Sequence, residues 1–333
     1  MTDENKNEIQ MPVMENVLVS SSPHLHDDNS VSKVMITVIL ALMPACAAGI
    51  YFFGLPALRV LLLCVISCLF IEGVWNHFAG KSGTWKDGSS ILTGILLGMN
   101  ISAGSPWWIC FLGAGLAIIL GKELFGGLGY NPFNPALVAR VGLLIGFTTP
   151  MTTWVPVDGT TGATPLGMST AELVASKIDV VQNLFVGNVA GCVGETSALA
   201  LLIGGIALIA LKVIKWHIPV SFIGTVAVFA SICHWADPET YIPPMYHVLS
   251  GGLFLGAFFM ATDMVTSPMT NKGMIIFGVG CGLITCLIRI WASYPEGVSF
   301  AILFMNALVP LIDRFAAKKP FGSIEADMLK GGA

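Results

Sequence analysis

Charge is the scarcest property of this sequence. Only 11% of its 333 residues are Asp, Glu, Lys or Arg, against about a quarter in an average soluble chain. Hydrophobic residues make up 55%, so a soluble core is excluded in favour of an all-α polytopic membrane protein. No basic run exceeds Lys318-Lys319 and the net charge is -4, which argues against nucleic acid as a partner and leaves the lipid bilayer. The eight cysteines form no C-x-x-C or C-x-x-H pair and lie in apolar segments; they read as small packing residues, with no metal site among them. The histidines form no H-E-x-x-H or H-x-x-x-H pattern, and neither a phosphate-binding loop nor a dinucleotide-binding glycine motif is present. The chain alone is therefore expected to bind neither ATP nor NAD. The first 33 residues lack the basic, apolar and small-residue succession of a signal peptide.

What is present is a series of apolar segments, at 34–53, 57–78, 89–103, 107–121, 133–148, 196–214, 219–235, 245–262, 273–291 and 298–317. Each approaches the roughly 20 residues that a bilayer span needs. Placing the N-terminus in the cytoplasm leaves only Arg59, Lys177 and Arg289 outside and Arg140 within a span, the other Lys and Arg falling on the cytoplasmic side. Both termini are then cytoplasmic, and the loop 149–194 faces the other way. An internal repeat is visible: "LTGILLGMNISAGSP" aligns with "LSGGLFLGAFFMATDMVTSP" after a short insertion, and "FNPALVAR" with "MNALVPLIDR". These segments are about five helices apart, an odd offset that implies two inverted five-helix repeats in a chain of about ten transmembrane helices. The expected organisation is a polar tail (1–33), a first repeat (34–148), an extracytoplasmic loop (149–194), a second repeat (195–319) and a cytoplasmic tail (320–333).

Ionisable groups within a bilayer cost about 2.5 kcal/mol or more each, so each needs a partner or a purpose. Lys122 beside Glu123, and Arg314 beside Asp313, fall at expected cytoplasmic ends, where snorkelling or local pairing accounts for them. Glu72, Glu195 and Asp263 are the harder cases and are candidates for an ion path; an ion pair with Arg140 serves any of them equally well. Two helix ends are broken on purpose. "GGLGYNPFNPALVAR" carries Asn131-Pro132 and Asn134-Pro135, and "TDMVTSPMTNKG" carries Asp263, Thr266 and Ser267. Proline removes an amide donor and pushes its predecessor out of the helix, freeing polar groups at membrane depth. Both segments are candidate ligand or ion sites, although Asn134 fits equally well as an N-cap with Pro135 in the first turn.

The loop contains "PVDGTTGATPLGMST", a bare, hydroxyl-rich stretch in an apolar chain. Thr164 precedes a proline and so favours an extended backbone that presents its hydroxyl. Such a hydroxyl can take a phosphoryl group if another enzyme supplies the chemistry, and a solvated turn satisfies the same residues.

"DGTTGATPL" resembles the flavinylation motif D-G-x-[ST]-G-A-[ST] of the family that comprises the D subunits of Rnf complexes and the B subunits of sodium-pumping NADH:quinone reductases. "SSPH", "GGLGYNPFNPA", "FMATDMVTSP" and "MNALVPLIDR" are similar to that family too, so the resemblance runs through nearly the whole chain. It implies FMN joined to Thr164 by a phosphoester, with Asp158, Gly162 and Ala163 as motif residues, made by a flavin transferase outside the cytoplasm. It further implies a bacterial cytoplasmic membrane location, the A, B, C, E and G subunits of an Rnf complex as partners, and electron relay between ferredoxin and NAD+ coupled to Na+ or H+ transport. Relatives hold a second, non-covalent riboflavin; Asn131 and Asn134 are the residues chosen for it. The family's fold is similar to urea and ammonium channels. Two alternatives remain: a flavin subunit of a sodium-pumping reductase, whose N-terminal extension is usually longer, and a urea/ammonium-type channel with no redox role.

Overall fold

The computed structural model describes residues 30–80, 87–154, 166, 180–187, 191–292 and 297–317. Among these the regular structure is all helical. The first helices are α1 (Val31–Phe53), α2 (Leu55–Ala79), α3 (Ser89–Met99), α4 (Trp107–Gly115), α5 (Pro135–Gly146), α6 (Thr148–Thr152) and α7 (Val180–Val186). They are followed by α8 (Ala198–Ala210), α9 (His217–Ala236), α10 (Pro244–Leu249), α11 (Leu253–Leu255), α12 (Asn271–Trp291) and α13 (Val298–Ala316). Among the described residues, six helical segments are long and apolar enough to cross a membrane: α1, α2, Trp107–Phe125, α9, α12 and α13. Together with exposed apolar side chains such as Phe70, Phe78, Trp235 and Phe315, they mark a multi-pass membrane protein whose outer surface suits lipid.

Local signals set the helix ends. Gly54 (φ 68°) turns α1 directly into α2, whose first turn carries Pro56. At the start of α3, Asp87 Oδ1 accepts from Ser89 N at 2.8 Å and from Ser89 Oγ at 2.7 Å, satisfying an amide that the helix leaves open. Asn134 is an N-cap: its Oδ1 accepts from Ala136 N and Leu137 N, with Pro135 following. The cap expected for that Asn-Pro pair is thus the one observed, and it is the more local of the two readings of this residue. All eight cysteines are free, and seven are buried, in line with their reading as packing residues.

Two apolar stretches do not run through as helices. At 11 residues, α3 rises only about 16 Å, too little for a hydrocarbon core of about 30 Å, and stops at Asn100. The chain then continues without helix to Trp107 through buried Ile101, Ser102, Ala103 and Ser105. The stretch expected as one span at 245–262 is broken at residues 250–252, between α10 and α11, where Gly251 takes φ 69°. A side chain there would be strained; one on Gly251 would also meet Arg289 Nη2 at 2.8 Å. Beyond α11 the chain widens into a π-turn, Gly256–Met260, and α4 likewise ends in one, Leu116–Leu120. Such turns insert an extra residue and re-aim the side chains that follow.

Small residues let the helices close on one another, as membrane bundles require. A Cβ on Gly94 of α3 would lie 2.6 Å from Val65 Cα of α2, and one on Gly282 of α12 would lie 2.6 Å from Thr225 Cβ and 3.0 Å from Phe222 O of α9. Backbone cannot swing aside as a flexible side chain can. Gly282→Val is therefore expected to push α9 and α12 apart and to cost about 1–3 kcal/mol, read as a fall in the midpoint of thermal unfolding of detergent-solubilised protein.

Candidate functional site

Buried polar residues gather in two places. The first is a cleft of about 100 Å³, lined by Val34 and Met35 of α1, Ser89 and Thr93 of α3, Lys122, Asn131, Asn134, Phe258, Phe259 and Asp263. Its mostly apolar lining with a few convergent polar groups has the character of a small-molecule site. Asn134 ties two of its walls together: while Oδ1 caps α5, Nδ2 donates to Met260 O at 3.2 Å, at the end of the second π-turn. Asn131 Nδ2 donates to Phe133 O at 3.0 Å, but its buried Oδ1 accepts from no group among the described residues. An acceptor withdrawn from water without a donor is costly. A ligand N–H in the cleft would satisfy it.

Behind the cleft lies an ion cluster. Lys122 Nζ stands 2.7 Å from Glu72 Oε1, 2.7 Å from Ser89 Oγ and 3.9 Å from Glu123 Oε1, with the Lys122 and Glu72 side chains 2% and 0% exposed. Of the two accounts of Lys122 from sequence, snorkelling is corrected, because the first π-turn precedes Lys122 and the ammonium ends in the bundle, while local pairing holds in part through Glu123. Glu72 pairs with Lys122 and not with Arg140. The acid beside Arg140 is Glu195, with Oε1 3.8 Å from Arg140 Nη2. Asp263 takes neither partner and accepts from Val265 N at 3.5 Å and Thr266 Oγ1 at 3.2 Å, closing its own turn at the cleft.

The second place is where the two broken stretches come together. Arg140 donates to Asn100 Oδ1, Asn100 Nδ2 reaches Leu96 O at 2.7 Å and Met260 Sδ at 3.7 Å, and Cys192 Sγ reaches Asn100 O at 3.4 Å. Arg59 Nη2 donates to Ser105 O at 3.2 Å. Arg289 does the same for the other break, donating to His247 O and, at 3.2 Å, to Ser250 O. Glu195 lies within the reach of both central guanidiniums: a Cβ on Gly252 would meet its Oε1 at 3.5 Å, next to the Arg289 contact at Gly251. Two buried cations around one carboxylate make Glu195 a counter-ion to the arginines that hold irregular backbone inside the bundle.

Of the residues chosen from sequence, the structure brings Asn131, Asn134 and Asp263 to one cleft, places Glu72 directly behind it and Glu195 elsewhere. Asp158, Gly162, Ala163 and Thr164 lie outside the described residues. Leu166, two positions past Thr164, is described: its Cδ1 would lie 3.2 Å from a Cβ on Gly251. Sequence reasoning missed Ser89 and Asp87 as partners of the ion cluster and Arg289 as a staple. The available signal was "KDGSS" before an apolar run, a turn feeding a helix start. Among the described residues no group of three or more His, Cys, Asp or Glu is placed to hold a metal ion.

Fold and site together define a multi-pass helical membrane protein with a cleft set against a buried ion pair. The family can be stated outright. Residues 18–322 match the family described as NQR2, RnfD, RnfE, and the chain belongs to it. It is 45% identical to the D subunit of the Na(+)-translocating ferredoxin:NAD(+) oxidoreductase complex of Acetobacterium woodii, over 92% of this chain and 96% of that one. To the D subunit of the proton-translocating ferredoxin:NAD(+) oxidoreductase complex of Clostridium ljungdahlii it is 42% identical, with the same shares covered. The D subunit of an ion-translocating oxidoreductase complex of Escherichia coli is 38% identical over 91% of this chain and 98% of its own.

Removing Glu72 leaves the buried Lys122 ammonium with only the more distant Glu123 as counter-charge, a loss of up to about 3–5 kcal/mol. Glu72→Ala is expected to unfold at markedly lower temperature than the parent. Glu72→Ala combined with Lys122→Met, which removes both charges, is expected to recover most of that loss; thermal unfolding of the two variants side by side checks it.

Proposed function

We propose that this chain is the D subunit of an Rnf-type complex, a membrane component carrying FMN on Thr164 and relaying electrons between ferredoxin and NAD+ in step with Na+ or H+ translocation. The observation that carries the reading is similarity to the D subunits of such complexes from end to end, at 45%, 42% and 38% identity. The motif at Asp158, Gly162, Ala163 and Thr164 adds to it. In this reading the chain crosses the bacterial cytoplasmic membrane about ten times in two inverted repeats, with both termini in the cytoplasm and the flavin loop outside. The repeat gains support from the aligned segments: α3 gives way to irregular chain after Met99, and the second π-turn does so after Met260. Asn134 and its counterpart Asn306 in the alignment are both buried. The A, B, C, E and G subunits supply the sites for ferredoxin and NAD+, and a flavin transferase matures this chain.

The second flavin belongs in the cleft. A flavin ring supplies one- or two-electron chemistry; the chain's part is to hold and tune it. Asn131 Oδ1 offers an acceptor, Asn134 fixes the wall by capping α5 and binding Met260 O, and Phe258 and Phe259 supply apolar cover. Asp263 at the mouth and Glu72 behind remain the acids of the ion path. Glu195, set between two guanidiniums, serves better as their counter-ion than as a stop for a cation.

Two measurements test this. Protein produced with the transferase is expected to fluoresce under ultraviolet light on a denaturing gel and to gain the mass of FMN less water. Thr164→Ala is expected to lose both; a persisting band moves the attachment to Thr160 or Thr161, and no band in the parent favours a channel. Asn131→Ala is expected to lose acid-extractable, non-covalent flavin by tenfold or more with little change in stability, whereas Asn134→Ala also loses a cap and about 0.5–2 kcal/mol, read by flavin extraction and thermal unfolding together.

A further inference from the structure

Both breaks in the bundle are met by chain from the segment that joins α5 to α8. At the first, buried Ser102 donates from Oγ to Thr153 O at 2.8 Å and accepts on the same oxygen from Gly104 N at 3.4 Å. At the second, Leu166 sits against Gly251: its Cδ1 would lie 3.2 Å from a Cβ there, and Arg289 Nη2 would lie 2.8 Å from the same point. Further along the segment, α7 packs on α10 and places Leu184 in the core. Thr153, Leu166 and Leu184 thus fasten the segment at separate points. The contact at Gly251 is made by side chains that come from elsewhere in the chain. Arg289 holds the carbonyls of His247 and Ser250, so the backbone between α10 and α11 keeps its irregular path. Gly251 takes φ 69°, a conformation that strains any residue with a Cβ. The space that a Cβ would fill goes instead to a methyl of Leu166, a half-buried residue, and to the guanidinium.

We propose that Gly251 and Arg289 form a seat for Leu166, and that this seat positions the group carried by Thr164 against the bundle. Leu166 is then a positioning residue. Two steps of chain separate it from Thr164, at most about 7 Å of backbone, so a fixed Leu166 confines whatever Thr164 carries to the neighbourhood of the break. A covalent tether alone sets only the greatest distance a group can stray, and a second attachment close by removes most of that freedom. An apolar side chain suits the task, because its burial is favourable without adding a charge that would compete for the guanidinium. Ser102 fastens the start of the segment through a backbone carbonyl, which leaves the side chain of residue 153 out of the attachment. Leu166 fastens it through a side chain, so its seat can be emptied by a single substitution.

This rests on the reading that Thr164 carries FMN, and the experiment has one arm that needs the flavin and one that does not. In the first, full-length protein produced with the transferase is compared as parent, Leu166→Met and Leu166→Ser, with Thr164→Ala as the blank for any other flavin. Leu166→Ser is expected to gain the mass of FMN as the parent does, to show lower fluorescence anisotropy of that flavin and to raise its quenching by iodide about threefold. Leu166→Met, which keeps an apolar side chain of similar length, is expected to behave as the parent. In the second arm, hydrogen/deuterium exchange of the peptide containing Leu166 is followed by mass spectrometry in Thr164→Ala protein. Adding Leu166→Ser is expected to speed that exchange about tenfold, with exchange in α2 and α9 unchanged; Gly251→Ala, which fills the seat, is expected to act in the same direction. Exchange that Leu166→Ser leaves unaltered overturns the seat, and so does exchange raised equally throughout the bundle, the mark of a general loss of structure. Faster exchange with unaltered anisotropy and quenching overturns the positioning and leaves the seat. A parent that gains no FMN mass overturns the reading of Thr164 and the positioning with it, while the exchange arm still decides the seat.

Discussion

Inside a bilayer there is no water to take up a stray hydrogen bond, and the Lys122 ammonium is the point at which this chain meets that constraint most directly. Its Nζ is buried with Glu72 and Ser89 as near neighbours, and both must be in place before the ammonium can be. That places demands on three separate elements: α2 supplies Glu72, the start of α3 supplies Ser89, and the π-turn after α4 delivers Lys122. The packing of these helices is therefore tied to one charge. Close approach of α3 to α2 through Gly94 brings the partners within reach.

The broken stretches answer to the same constraint. Backbone that leaves a helix in an apolar interior exposes N–H and C=O groups that must be satisfied by protein. Arg59 and Arg289 do this for carbonyls at Ser105, His247 and Ser250, while Arg140 orders the Asn100 side chain. Glu195 offsets part of the charge so introduced. Irregular backbone lets the chain build a cleft at the end of the second π-turn, where Asn134 reaches Met260 O. Residues that an uninterrupted helix would have committed to its own ladder are free there to face a ligand.

How much of this was legible depended on how local the cause was. The Asn134 cap needs only Asn, Pro and two following amides, and was readable from four residues. Buried cysteines followed from apolar neighbours. Lys122 was misjudged because distance along the chain to the end of a hydrophobic run does not say which way a side chain points, and a π-turn changes that direction without a distinctive residue pattern. The break at residues 250–252 was hidden for a related reason: Ser250, Gly251 and Gly252 sit in an apolar run, and the guanidinium that satisfies the carbonyls of His247 and Ser250 comes from Arg289, some forty residues later. Thr164 stood out from its neighbours Thr160 and Thr161 only through resemblance to a family motif, since one exposed hydroxyl has the same chemistry as the next.

Composition and hydrophobic patterning by themselves determined that the chain is a multi-pass helical membrane protein, because burial of apolar surface and the lack of water in a bilayer depend on residue type and run length. The positions of its glycines and Asn-Pro pairs likewise marked where helices end, a matter of backbone sterics between adjacent residues. Which acid meets which cation was decided only by the tertiary structure. Glu72 and Lys122 are fifty residues apart, as Glu195 and Arg140 are fifty-five, and pairing across such separations is set by helix packing and by the direction in which a π-turn releases a side chain.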